Sequence, residues 1–222
     1  MCGVTGVLHF DGEPASPVVL RRMTDALAHR GPDGEGHHID GSLGLGHRRL
    51  AIIDLSPAGH QPMLTPDGRF VLSYNGELYN FLELRAELEA LGHRFRSRSD
   101  SEVVLLALAQ WGVTALSRFN GMFAFALWDR DEKTLLLARD RYGIKPLYFA
   151  RRGSTFLFGS EVKAMLAHPA LRAEMDCEGL LEYMTFQNFL TERTLFKDVS
   201  LLPAGSWLKA DRSGKLSQQR YW

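Results

Sequence analysis

The segment Gly121–Trp128, GMFAFALW, followed by a polar turn at Asp129–Lys133 and a second apolar run at Thr134–Ala138, constrains this chain most. An unbroken apolar and aromatic run suits a buried strand, and the answering run makes it half of a hairpin. A second hairpin is expected from Leu147–Ala150 and Thr155–Phe158 across Arg151-Arg152-Gly153-Ser154. Val4–Phe10 and Arg69–Tyr74 read as further strands, and Asp40-Gly41-Ser42 as a turn between two more. Helices fall between these groups. Ser16 caps and Pro17 opens one that aligns Leu20, Met23 and Leu27. Tyr79–Leu91 aligns Phe81, Leu84, Leu88 and Leu91, with Gly92 as the C-terminal glycine. Ser99 or Asp100 caps a third, apolar from Val103 to Trp111, and shorter helices are expected near Glu161–Ala167 and Cys177–Tyr183. Hairpin-linked strands with helices gathered between them predict antiparallel sheets in an α+β fold.

Charge narrows the function. Lys plus Arg and Asp plus Glu both number 26 in 222 residues, so the formal net charge is zero. A nucleic-acid or membrane-surface binder would need a basic excess, so neither partner is expected. No apolar run reaches the ~18 residues of a membrane span. Met1–Phe10 lacks a secretory pattern, and two cysteines make no disulfide framework, which fits a reducing cytoplasm. No metal site is expected: His37 and His38 alternate across a strand with no ligand cluster beside them. Gly44-Leu45-Gly46 lacks the rest of a dinucleotide fingerprint, and no phosphate loop or serine elbow occurs.

Four places can carry chemistry. Cys2, once Met1 is removed, unites a thiol and a free α-amine on one residue, a nucleophile with its own base. Its bland reading is a small buried hydrophobe. Asn75-Gly76-Glu77, between a strand and a helix, offers an amide and a backbone N–H, the donor types of an oxyanion hole; its bland reading is an Asn-Gly turn. Arg48 and Arg49 precede an apolar stretch, where a guanidinium suits a carboxylate or makes a surface ion pair. Asp100 either caps a helix or receives a ligand ammonium.

Taken in order, MCG at the start, HRGPDGEG at 29–36, GHRRLAIIDLSPAGHQPM at 46–63, NGELYN at 75–80, SDSEV at 99–103, GMFAFALWD at 121–129, RDRYGIKPLYF at 139–149, GSEVKAML at 159–166 and LPAGSWL at 202–208 resemble the glutaminase domain of glutamine-dependent asparagine synthetases. That domain is a class II glutamine amidotransferase and an N-terminal nucleophile hydrolase. The resemblance spans almost the whole chain and implies one domain over 1–222, a four-layer αββα sandwich. It implies Cys2 as the nucleophile, Asn75 and Gly76 as the oxyanion hole, and Arg49 as the holder of the glutamine α-carboxylate. Glu77 and Asp100 would hold the α-ammonium with help from Gly76, and Leu50, Ile52 and Ile53 would line the pocket. L-glutamine is then the substrate and no cofactor is needed here. ATP and magnesium belong to an ATP-pyrophosphatase synthetase domain, whose Ser-Gly-Gly-x-Asp-Ser loop this sequence lacks. That domain or a partner subunit would receive the ammonia, with residues 175–222 facing it and a homodimer as a further expected assembly. The rival readings are an amidotransferase feeding another acceptor, in a secondary-metabolite or polysaccharide pathway, and a non-catalytic interaction module of the same fold.

Overall fold

The computed structural model describes residues 1–222, and its twelve strands form two six-stranded antiparallel sheets. Across the first sheet the order is β10 (Val199–Leu201), β8 (Tyr148–Arg152), β9 (Thr155–Gly159), β1 (Gly3–His9), β3 (Leu43–Arg49) and β2 (Gly34–Asp40). Across the second it is β12 (Leu216–Arg220), β11 (Ser206–Ala210), β7 (Thr134–Arg139), β6 (Gly121–Asp129), β5 (Phe70–Leu78) and β4 (Met63–Leu64). The helices are α1 (Pro17–Asp25), α2 (Phe81–Ala90), α3 (Asp100–Trp111), α4 (Ala115–Arg118), α5 (Val162–Leu166) and α6 (Cys177–Phe186).

Strand alternation sorts the apolar residues into three cores. Ala124, Ala126 and Trp128 of β6 meet Val4 and Leu8 of β1 and Leu43 and Leu45 of β3 between the sheets. The intervening Phe123, Phe125 and Leu127 turn outward, where α2 and α3 cover them with Leu84, Leu88 and Val103–Leu108. On the far side of the first sheet, Val7 and Leu157 pack under Met23 of α1 and Met165 of α5. On β6 the inner face carries Ala124 and Ala126 before Trp128, and the outer face the larger Phe123, Phe125 and Leu127. The result is the expected α+β sandwich, with layers in the order α, β, β, α. No helix is long and apolar enough to cross a membrane.

Local expectations meet the structure unevenly. Ser16 accepts from the Val19 N–H and Pro17 opens α1, as read. Ser99, not Asp100, caps α3 by accepting from the Glu102 N–H. Strand β5 does not stop at Tyr74. It continues to Leu78, so Asn75 and Gly76 lie in mid-strand opposite Ala124 and Phe123, and the Asn-Gly turn is excluded. Helix α2 starts at Phe81, and Leu91 lies past its end and 56% exposed, off the buried stripe. The β11–β12 hairpin went unread, because both strands are short and Leu216–Arg220 is largely polar.

Candidate active site

Alternation also selects the polar residues that share the space between the sheets. Cys2 has the parity of Val4 and Leu8, and Arg49 that of Leu43, Leu45 and the buried His47. Asn75 and Glu77 have the parity of Val71 on β5. All four line one cleft of about 180 Å³, together with Leu50, Ile52, Ile53, Gly76 and Asp100. Every residue to which the resemblance gave a site role is in this cleft. Arg48, one residue off, leaves on the opposite face, donates to the Thr24 carbonyl and pairs with Asp25 and Glu35. Its bland reading is the structural one.

Three contacts fix Cys2. The Arg30 Nε donates to its carbonyl at 2.9 Å, its Sγ donates to the Leu50 carbonyl at 3.6 Å, and the Leu50 N–H donates to Sγ at 3.4 Å. Arg30 is held in turn by Glu161 at 2.8 Å, with His29 and Lys163 also on that carboxylate. Burial opposes the ionised carboxylate, but the hydrogen bonds from Arg30, His29 and Lys163 outweigh it and hold Glu161 at about 2. Burial pushes the Cys2 thiol up, partly offset by the Leu50 N–H and the nearby N-terminal charge. At neutral pH the sulfur is therefore a thiol that needs a base to become nucleophilic.

The second sheet supplies donors. In an antiparallel pair, N–H groups of alternate residues face opposite sides of a strand. Tyr74, Gly76 and Leu78 therefore share the edge of β5 that faces away from β6. The Tyr74 N–H donates to Gln61 Oε1 at 2.6 Å and the Leu78 N–H to Asp100 Oδ2 at 2.9 Å. The Gly76 N–H lies between them on the cleft side. A Cβ on Gly76 would stand 2.5 Å from the Met122 carbonyl, so only glycine fits. Beside it, Asn75 is 1% exposed and its Nδ2 is buried without a partner. An unmet buried donor costs about 1–3 kcal/mol. An oxyanion in the cleft would meet both donors.

Charges sit around this pair. Arg49 donates to the carbonyls of Ser56, at 3.0 Å, and Asp54, which leaves its fork at the cleft rim. A Cβ at Gly59 would collide with this guanidinium, so glycine makes its room. Asp100 is buried and accepts from Tyr74 Oη at 3.1 Å; its burial raises its pKa despite that bond. The sequence reading missed Gln61, Tyr74, Ser101, Met122 and Lys145, which also line the cleft. Lys145 is 5% exposed, and burial lowers its pKa. Asp140, which accepts from the N–H groups of Phe123, Tyr142, Ile144 and Lys145, shapes the loop that carries it. Among candidate metal groupings only His9, Asp11 and Glu13 converge, at the other end of β1 from Cys2. Both acids are exposed, and Asp11 already accepts from Ser154 and the Glu13 N–H.

Comparison of folds finds the same architecture in a solved structure. The glutamine phosphoribosylpyrophosphate amidotransferase of B. subtilis superposes over the whole chain and 49% of its own, with a TM-score of 0.72 at 20% identity. A family model described as a glutamine amidotransferase domain matches residues 1–222. The chain belongs to that family and is an enzyme domain. Among curated proteins, asparagine synthetase [glutamine-hydrolyzing] 3 of Bacillus subtilis is 41% identical over all of this chain and 36% of its own length. Asparagine synthetase [glutamine-hydrolyzing] 1 of the same organism is 37% identical over all of this chain and 35% of its own. Amidase chry2 of Gibberella zeae is 34% identical over all of this chain and 34% of its own. The chain thus spans about a third of the length of these relatives.

Proposed function

We propose that this domain hydrolyses L-glutamine to glutamate and ammonia through a thioester on Cys2. Removal of Met1 frees the Cys2 α-amine, whose ordinary pKa of about 7.7–8.0 suits a base near neutral pH. The amine takes the thiol proton and Sγ attacks the side-chain amide carbon. The tetrahedral oxyanion takes hydrogen bonds from Asn75 Nδ2 and the Gly76 N–H. Collapse of the intermediate breaks the C–N bond, and the proton returns to the departing nitrogen, which leaves as ammonia. Water then cleaves the γ-glutamyl thioester and restores the thiol.

The zwitterionic end of glutamine needs one fixed cation and one or two anions. Arg49 serves the α-carboxylate through a charge-assisted fork, and Glu77 and Asp100 serve the α-ammonium. The backbone from Leu50 to Ile53 walls the side chain. The observation that carries this reading is the buried, unpartnered Asn75 Nδ2 in the cleft that holds Cys2.

The ammonia goes to a separate acceptor site, on a synthetase domain or subunit that uses ATP and magnesium to make asparagine from aspartate. The relatives named asparagine synthetase support this acceptor. The similarity to a protein named amidase favours the second reading, the same glutaminase chemistry with a different acceptor. In this reading the chain is one domain, works in the cytoplasm and needs no cofactor.

The test is intact mass together with L-glutamine hydrolysis on one sample. The expected result is loss of one methionine, release of glutamate and ammonia, and a rate at least about 10⁴-fold lower in Cys2→Ala with the fold intact. Turnover near wild type in Cys2→Ala overturns the nucleophile assignment.

A further inference from the structure

We propose that Gln61 is a positioning residue that sets selectivity for the α-ammonium of the substrate, an inference that rests on the reading of Asp100 above. Gln61 is 4% exposed and uses both ends of its amide. Its Oε1 accepts the Tyr74 N–H at 2.6 Å, and its Nε2 donates to Ser101 Oγ at 3.3 Å. Tyr74 Oη donates to Asp100 Oδ2, and Asp100 is bonded covalently to Ser101. The four residues close a ring: Gln61 to Tyr74, Tyr74 to Asp100, Asp100 to Ser101, and Ser101 back to Gln61.

This ring spans a gap in the architecture. Strand β4 pairs with β5 only at Met63–Leu72 and Leu64–Val71, so the β5 edge beyond Leu72 has no neighbouring strand. Gln61 replaces the missing strand at the Tyr74 N–H and ties that edge to the N-terminal end of α3. Asp100 is buried and its charge is costly there, and its carboxylate is held at the cleft by the Tyr74 hydroxyl, the Leu78 N–H and the end of α3. Gln61 touches two of these supports, Tyr74 and α3, and does not touch Cys2 through any hydrogen bond. Its loss therefore loosens the ammonium subsite and spares the nucleophile.

Gln61→Met keeps length and volume and removes both bonds. The assay compares kcat and KM for L-glutamine with those for 4-carbamoylbutanoate, the same amide without the α-amino group. In Gln61→Met the expected result is a KM for L-glutamine raised about 10–100-fold, the loss of one hydrogen bond to a charged group. kcat should stay within about threefold and 4-carbamoylbutanoate should lose less than about threefold in kcat/KM. A general structural role would lower both substrates alike and overturn the proposal. So would a fall in kcat at constant KM, which would assign Gln61 to the Gly76 edge. If Gln61→Met does not fold, Ser101→Ala removes only the Nε2 partner and gives the same substrate split at smaller size; equal loss on both substrates there overturns the proposal. Wild-type chain, freed of Met1, that neither hydrolyses L-glutamine nor binds it by calorimetry in the Cys2→Ala form removes the parent reading as well. The two failures are therefore told apart.

Discussion

The two walls of the cleft treat their polar groups in opposite ways. On the wall built by β1, β3 and the segment after β3, charges are engaged: Arg30 holds the Cys2 carbonyl and Glu161, and Arg49 grips the carbonyls of Asp54 and Ser56. On the wall built by β5 and α3, Asn75 Nδ2 is buried without a partner and Asp100 keeps a carboxylate where burial disfavours its charge. The first wall is organised to hold atoms in place. The second carries an unpartnered donor and a carboxylate whose charge burial disfavours. Position and unmet demand are separate requirements of a site, and here they come from different sheets.

That contrast can be broken by substitution. The largest effect belongs to the second wall. Asn75→Ala should lower kcat for glutamine about 10²–10³-fold, the usual loss of one oxyanion donor, with KM changed less than about threefold. Because Nδ2 bonds to nothing, the thermal midpoint should fall by less than about 3 °C, near 1 kcal/mol for a chain of this size. A large fall in stability with unchanged kcat would make Asn75 a packing residue and erase the distinction between the walls.

Next come the adjacent arginines of β3. Arg49→Ala should raise the KM for glutamine about 10–100-fold. Arg48→Ala should leave KM and kcat within about twofold and cost no more than about 1 kcal/mol, since its partners Asp25 and Glu35 are solvent-exposed. Steady-state kinetics and denaturant titration on the pair decide it, and equal effects on KM would contradict the alternation that separates them.

The smallest effect has the opposite sign. Burial raises the Asp100 pKa, so the folded state binds its proton more tightly than the unfolded chain does. Its contribution is favourable below the ordinary carboxylate pKa and is lost as pH rises through the raised value, so at pH 7 the ionised form is a net cost. Asp100→Asn, which can still accept from Tyr74 and Leu78, should raise the thermal midpoint at pH 7 by about 2–4 °C. The gain should vanish below about pH 4. A destabilised Asp100→Asn at pH 7 would show that the carboxylate is structural and that the second wall holds no unmet charge.

Much of this was legible in residue order. Hairpins announced themselves because a buried apolar run and its polar turn are local events, and Ser16-Pro17 fixed a helix start within one turn. The site residues were legible through the family resemblance, and strand parity explains why they meet. What escaped depends on tertiary context. Asn75-Gly76 has turn-like chemistry, yet nine paired positions of β6 override it. Ser206–Ala210 is a strand because β7 offers an edge, and Leu216–Arg220 is one because Ser206–Ala210 then offers the next. Gln61 and Lys145 are polar residues in loops, and only folding reveals that both are buried.

Strand β1 has one more consequence, for the order in which the site is assembled. The residue after Cys2 begins a strand whose neighbours are Leu43–Arg48 on one side and Thr155–Gly159 on the other, and the Val4 N–H donates to Ser160 Oγ. Closing β1 between them joins positions more than 150 apart, a contact whose sequence separation makes it entropically costly to close. A chain emerging from the ribosome cannot complete the cleft until Ser160 is outside. Cys2 thus waits on residues more than 150 positions downstream, and fragments of this chain that stop short of residue 160 carry the thiol without the machine around it.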